Sequence, residues 1–313
     1  MTATRHLGLD LGATNMKWAI VEHAGQTWRT LDRGEVRTAT SGPEAIVDQL
    51  GRVGRAALAA LPGVISTGIG VPGLYDPQTG AARFLINLPG NWQGRPVAAP
   101  VAAALGIPVA VINDARAFGL AELRLGAGRG ATSMVGLTLG TGVGGVIAID
   151  GAILQGHDGT AGEVGHQTIE PDGPACNCGN HGCLEAFARA DSIAAACGTS
   201  TAEEAVSRAR AGDPQAIAGL ARIGRYLGIG IANLITLIAP DRVVIGGGVA
   251  AAGDLLLDPV RREIRLRCRT TAIDAVELVL AELGTWAGSI GAAIHGAERM
   301  LAGEAIQPGT VGS

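Results

Sequence analysis

The chain has 313 residues, enough for about two domains that each bury their own core, so no disulfide framework is needed to hold it. A formal charge of −4 excludes a generally basic surface for nucleic acid or anionic membrane and points instead to small soluble partners. With 47% apolar residues and 49 glycines that follow no three-residue period, disorder and collagen are excluded as well, and the glycines are assigned to turns and close backbone approaches.

The opening MTATRHLGLDLG lacks a basic leader region and a long apolar run, and no later stretch reaches 18 apolar residues without glycine or charge, which predicts a cytoplasmic chain. Residues 8–22, GLDLGATNMKWAIVE, read as a strand, a Gly/Thr-rich turn and a returning strand. They align with residues 136–150, GLTLGTGVGGVIAID, at an offset of 128, with Gly8/Gly136, Leu9/Leu137, Leu11/Leu139 and Gly12/Gly140 identical. This echo predicts two related lobes. Between the copies the pattern predicts a helix at 43–60, a strand at 64–71 and a turn at YDPQTG. A helix-like stretch broken by Pro100, a strand at 108–114 and a helix from Ala115 to about Leu125 follow. After the second copy come helices near 184–196, 201–211 and 214–234, a strand at 241–248, a helix at 254–266, a strand at 276–280 and a helix at 286–301, with the tail from Glu304 frayed. The order predicts an α/β fold with lobes at 1–115 and 116–285 and a last helix, within 286–313, returning to the first lobe.

GTGVGG at 140–145 matches the dinucleotide fingerprint, and Glu163 lies at about the distance of its ribose-binding acid. The third glycine of that fingerprint must open a helix, whereas GGVIAID continues as a β-branched strand, so an NAD-dependent dehydrogenase is the weaker reading. No P-loop motif occurs either. The two turns fit phosphates better: Gly12, Thr14 and Asn15 in the first, Thr138, Gly140, Thr141 and Gly142 in the second, offer amides and hydroxyls. Asp10 would hold a hydrated Mg²⁺ on those phosphates or else cap the turn, and Lys17 would touch phosphate or lie at the surface. Gly246, Gly247 and Gly248 offer flat backbone to a planar ligand such as adenine, or simply a tight strand-to-helix turn.

CNCGNHGCLE places Cys176, Cys178 and Cys183 within eight residues, and His166 or His181 completes a Cys₃His set for Zn²⁺, with His166 preferred because His181 lies inside the loop. A set of four protein ligands leaves no open position, so the ion would be structural. PVAVINDARA ends a strand in Asn113 and Asp114, at the carboxyl edge where α/β proteins place ligands. Asp114 reads equally as a general base or a helix cap. With Glu163, His166, Glu185 and Asn87 these residues suit a polyhydroxylated ligand, and Trp92 would be packing or a lid.

In this order, LGLDLGATNMKWAIV, GIGVPG, NLPGNW, IND, LTLGTGVGGV, GTAGEVGHQTI, CNCGNHGCLE and VVIGGGV resemble the ROK family of bacterial sugar kinases and regulators, especially its glucokinase-like members, over nearly the whole chain. The resemblance implies two ribonuclease-H-like lobes of the actin/hexokinase type with an interlobe cleft, ATP and Mg²⁺ as donor, a structural Zn²⁺ on His166, Cys176, Cys178 and Cys183, and a homodimer or homotetramer. It further implies Asp114 as catalytic base and Gly73, Asn87, Asn113, Glu163, His166 and Glu185 around the sugar. The expected reaction is transfer to the 6-hydroxyl of a hexose, glucose first. Mannose or an N-acetylated hexosamine as acceptor, polyphosphate as donor, and a non-enzymatic sugar-responsive regulator are the alternatives. Many members carry AN after the catalytic aspartate where this chain has AR, with Arg116, which leaves the preferred sugar open. Only six residues precede Leu7, against the helical DNA-binding extension that family regulators often carry there.

Overall fold

The apolar run HLGLDL lies at the centre of a sheet because both of its faces are apolar and neither can be left to water. In the computed structural model, which describes residues 3–309, this run is strand β1 (Thr4–Leu11), with Leu7, Leu9 and Leu11 at most 1% exposed. It pairs antiparallel with β2 (Asn15–Ala24), which pairs antiparallel with the largely exposed edge strand β3 (Thr27–Arg37). On its other side run β4 (Val64–Val71) and then β7 (Val109–Asn113), both parallel, giving the order β3-β2-β1-β4-β7. A small hairpin of β5 (Gly73–Tyr75) and β6 (Ala82–Leu85) stands apart from this sheet.

Helix α1 (Pro43–Ala60) opens with a proline, whose missing N–H costs nothing there, and buries Ile46, Leu50 and Ala57 along one face. In α2 (Ala98–Leu105), Pro100 sits in the first turn, where the N–H groups have no intrahelical acceptor, so it starts the helix instead of breaking it as expected. Helix α3 (Asp114–Arg124) follows β7 without a connecting loop.

Residues Gly126–Gly284 form a second unit with the same sheet plan. Its strands β8 (Met134–Leu139), β9 (Val143–Ile149), β10 (Ala152–Ile153), β11 (Arg242–Gly246) and β12 (Glu277–Leu280) take the order β10-β9-β8-β11-β12, with the same alternation of antiparallel and parallel pairs. The 128-residue offset carries Leu11 onto Leu139 and Asn15 onto Val143, the bounds of the two glycine turns, so the echo in the sequence is a repeat of topology.

The helix expected at 184–196 is two, α4 (Leu184–Ala188) and α5 (Ala190–Cys197), separated by Arg189 in extended conformation. Helix α6 (Ala202–Arg210) is capped by Thr201, whose hydroxyl accepts from Glu204 N at 3.1 Å. The 25-residue α7 (Pro214–Ile238) is long and apolar enough to cross a membrane, yet Leu220, Ile223, Leu227, Ile231 and Ile235 are buried in this unit's core. It packs along α8 (Asp254–Arg267).

Helix α9 (Ala287–Leu301) belongs to the first unit, where it lies on β1, β4 and α3. Contact is backbone to backbone: a Cβ on Gly68 would stand 1.7 Å from Ala292 O, and one on Gly291 would stand 1.7 Å from Ala117 O. Because α9 grips α3, the chain divides after Leu125, ten residues later than the expected boundary at 115/116. The tail from Glu304, expected to fray, is instead tied at Ile306, which exchanges hydrogen bonds of 2.9 and 2.8 Å with Val109, while residues 310–313 lie outside the described residues. Two units with ribonuclease-H-like strand order are the actin/hexokinase type of fold.

Gly291→Ala forces α9 and α3 apart, and it should lower stability by about 1–3 kcal/mol, read as a lower urea midpoint; an unchanged midpoint would contradict the close approach. His295, buried on α9, donates from Nε2 to Val111 O at 3.1 Å; burial, then the Arg299 charge, lower its pKa from 6.5 to about 4. Below its ordinary value the unfolded chain binds a proton that the folded chain refuses, so stability falls as pH drops from 6.5 toward 4. The slope of midpoint against pH should be flatter in His295→Gln.

Candidate active site

Strand β7 ends on Asn113, and that side chain sets the geometry beyond it. Its Oδ1 accepts from Ala115 N at 3.0 Å and Arg116 N at 3.2 Å, capping α3, while Nδ2 donates to Gly73 O at 3.2 Å. Asn113 therefore makes most of the cap, and Asp114 shares one of its donors. Asp114 is the first residue of α3, half-buried, with Oδ1 accepting from Ala115 N at 2.8 Å. Gly73 has φ of 127°, and a Cβ there would stand 2.3 Å from Phe84 O, so no other residue fits. Asn87, exposed and left-handed at φ 60°, lies in the loop after β6. Trp92 is packing: it is 3% exposed in the core and donates from Nε1 to Pro89 O at 3.2 Å.

Asp10 ends up close to Asp114. Burial first, then the Asp114 charge, push the Asp10 carboxyl up to about 7, against a smaller opposite pull from Lys17, its register partner on β2. At the start of α9, Gly288 makes room for it, since a Cβ there would stand 2.4 Å from Asp10 Oδ2. The adjoining turn is tied down through its carbonyls: Thr38 donates from Oγ1 to Gly12 O at 2.7 Å and from N to Thr14 O at 3.0 Å. A Cβ on Gly12 would stand 2.6 Å from Asn15 O. Lys17 Nζ lies 5.9 Å from the Trp286 ring centre. Neither Thr38 nor Gly288 was anticipated; Thr38 is the residue after an exposed edge strand and Gly288 the second residue of an ordinary apolar helix, so neither carried a local signal.

In the second unit, the turn between β8 and β9 is closed by Gly140 N donating to Gly142 O at 3.0 Å. Ala190 N donates to Gly140 O at 2.8 Å, and Val143 N donates to Glu185 Oε2 at 2.9 Å. Thr138 is half-buried and Thr141 exposed. Gly145 lies within β9, where a Cβ would stand 2.1 Å from Val164 Cγ2, so this glycine admits the GEVGH segment and opens no helix, against the dinucleotide reading. Gly247, at φ 89°, passes so close to β8 that a Cβ would stand 2.1 Å from Leu139 O, which sets Gly246 and Gly248 beside the same turn.

The ligand atoms of His166, Cys176, Cys178 and Cys183 all lie within 4.8 Å of one another, with Cys178 Sγ–Cys183 Sγ and Cys176 Sγ–His166 Nδ1 both at 3.7 Å. Zinc–thiolate bonds of ~2.3 Å in a tetrahedron separate ligands by about 3.8 Å, so the set fits that ion. His181 is exposed, pairs its backbone with Ala175 and stays outside the group. Burial raises the Cys183 thiol to about 12 and pushes Cys176 up, while a backbone bond from Asn180 lowers Cys178. Glu163, exposed, precedes the short turn Val164–His166, and its carbonyl accepts from His166 N at 3.0 Å. The expected site residues thus form two sets, each held within its own unit: Asp10, Gly12, Thr14, Asn15, Lys17, Gly73, Asn87, Asn113 and Asp114 in the first, the others in the second.

The chain matches the ROK family over residues 6–298. It is 36% identical to a glucokinase of Halalkalibacterium halodurans, covering 91% of this chain and 93% of that protein. A ROK hexokinase from Thermus thermophilus superposes with a TM-score of 0.82 at 34% identity, covering 96% and 100% of the two chains. A ROK family glucokinase from Streptomyces griseus in complex with glucose and AMPPNP superposes with a TM-score of 0.78 at 32% identity, covering 94% and 99%. With a family match across nearly its whole length, and relatives of this identity covered almost end to end, the chain belongs to the ROK family.

Proposed function

We propose that this protein is an ATP-dependent kinase that phosphorylates the 6-hydroxyl of a hexose, glucose first. The observation that carries the reading is the placement of Asp114 at the carboxyl end of β7, where Asn113 makes most of the α3 cap, Asp114 shares only the Ala115 N–H, and its carboxylate is set near that of Asp10. Similarity to glucokinases supports glucose as acceptor, and the glucose and AMPPNP complex of the Streptomyces griseus relative supports a sugar and a nucleotide as the two substrates.

In this reading the sugar O6 proton passes to an oxygen of Asp114 as O6 forms a bond to the γ-phosphorus; the bond from that phosphorus to its bridging oxygen breaks, and ADP leaves. The turns at Gly12–Asn15 and Gly140–Gly142 present amides and hydroxyls to the donor's phosphates, with Thr138 and Lys17 beside them, and Gly246–Gly248 face the adenine. Asn113, with Gly73, Glu163, His166 and Asn87, orients the sugar hydroxyls, and Glu185 reaches them through Oε1, since Oε2 holds Val143 N. Two nearby carboxylates with one of them raised to about 7 are a pair that a cation relieves, which suits Asp10 to Mg²⁺ on the phosphates. The Mg²⁺ would neutralise phosphate charge, and a Zn²⁺ on His166, Cys176, Cys178 and Cys183 would pin the segment that carries Glu163 and Glu185. If His166 ligates through Nδ1, Nε2–H is left to donate to a sugar oxygen.

Asp114→Ala should lower kcat by at least about 100-fold with glucose affinity largely kept, measured by coupled ADP release and by titration of the sugar. Near-normal turnover would remove Asp114 from the base role. A panel of hexoses and aminosugars in the same assay ranks the acceptors, and no sugar-dependent ADP release from any of them would defeat the kinase reading. Metal analysis of fresh protein should find about one zinc per chain. Cys178→Ala should raise KM and lower thermal stability together; a zinc-free, fully active protein would contradict the structural ion.

A further inference from the structure

Glu185 makes a contact that a role in sugar binding does not require. Its Oε2 accepts from the backbone N–H of Val143, the first residue after the second glycine turn, at 2.9 Å. Gly142 leaves the space for it, because a Cβ at that position would stand 2.4 Å from the same oxygen. Two residues after α4 ends, its neighbour α5 begins, and Ala190 N, at the start of α5, donates to Gly140 O at 2.8 Å. The turn Gly140–Gly142 is therefore held at both ends by the segment 185–190. That segment begins at the metal-type cluster: Cys183 is the residue from which α4 starts, and Glu185 Oε1 stands 3.8 Å from Cys176 Sγ.

We propose that Glu185 is a positioning residue for the donor-phosphate turn, and that the Cys₃His cluster orders this turn through it, so that the cluster governs nucleotide affinity as well as sugar affinity. This deepens the kinase reading and rests on it for the identity of the turn's ligand. The physical argument is one of order. A glycine turn has many conformations, and its amides act as a preformed anion site only when something fixes them. A carboxylate holding a backbone N–H at one end does that, since a charge-assisted bond is stronger than a neutral one. The carboxylate must itself be fixed, and it stands two residues after the cluster's last cysteine, in the first turn of α4.

The experiment compares hydrogen exchange at Val143 with AMPPNP and glucose affinities, each ligand titrated alone, in the full chain, Glu185→Ala and Glu185→Gln. In Glu185→Ala, exchange at Val143 should quicken at least about tenfold, exchange at core Val244 should hold, and AMPPNP should bind at least about fivefold more weakly. Glu185→Gln keeps an acceptor oxygen, so it should restore Val143 protection and AMPPNP binding even where glucose binding stays weak. Removing metal with a chelator should quicken Val143 exchange in the parent protein. Unchanged Val143 exchange or AMPPNP affinity in Glu185→Ala, with only glucose affinity reduced, would overturn the proposal. Equal quickening at Val143 and Val244 in both variants would overturn it too, as general loosening of the unit. None of these readouts needs turnover, so they stand apart from any failure of the kinase reading itself.

Discussion

The amide side chain of Asn113 holds three backbone groups at once, two N–H groups of α3 and the carbonyl of Gly73, and the first unit's chemistry depends on that clamp. It lets a strand turn into a helix with no intervening loop, and it satisfies the first N–H donors of α3, sharing that of Ala115 with Asp114. The clamp works only if α3 stays where it is. α9 ensures this by lying on α3 and the sheet with glycine against backbone carbonyl, at Gly291 on Ala117 and Gly68 on Ala292. Precision at Asp114 is thus inherited from a helix more than 170 residues away in sequence, since Gly291 follows Asp114 by 177 positions.

The second unit repeats the strand, turn and strand of the first but fixes its turn differently. In the first unit a threonine, Thr38, ties the turn by its carbonyls; in the second a carboxylate, Glu185, takes an N–H, and Ala190 takes a carbonyl. Both leave glycines where a side chain would collide with backbone or with Glu185, at Gly12 and Gly142. The same glycines that resemble a dinucleotide fingerprint are spread over three tasks: turn formation at Gly140, room for Glu185 at Gly142, and close packing at Gly145.

Much of this plan was readable in the chain because local chemistry and tertiary placement agree. The helix at 43–60 begins at a proline with an apolar stripe behind it, and the strand at 64–71 is a short run rich in β-branched residues, so both have the bounds expected of them. β3 was missed since an edge strand with an exposed, charged face has no alternation to betray it, and the break at Arg189 is a single extended residue inside a helical pattern. Pro100 misled because its effect depends on which turn of the helix it occupies. Loop strain only ranked His166 ahead of His181 as the partner of the three cysteines, and the family resemblance selected it; His166 is the one that gathers with them. The bond from Val143 to Glu185 could not be read: it joins residues 42 apart whose types are common.

A kinase built this way does little covalent chemistry of its own; its residues place a hydroxyl, a proton acceptor and a phosphate chain, and keep them there. The most direct measurement is a crystal structure of the protein with glucose and AMPPNP bound. The account predicts the sugar's O6 within about 2.6–3.2 Å of an Asp114 carboxylate oxygen, a hydrogen-bond distance suited to proton transfer. A sugar seated with O6 bonded elsewhere, and Asp114 engaged only with the N–H groups of α3, would contradict it.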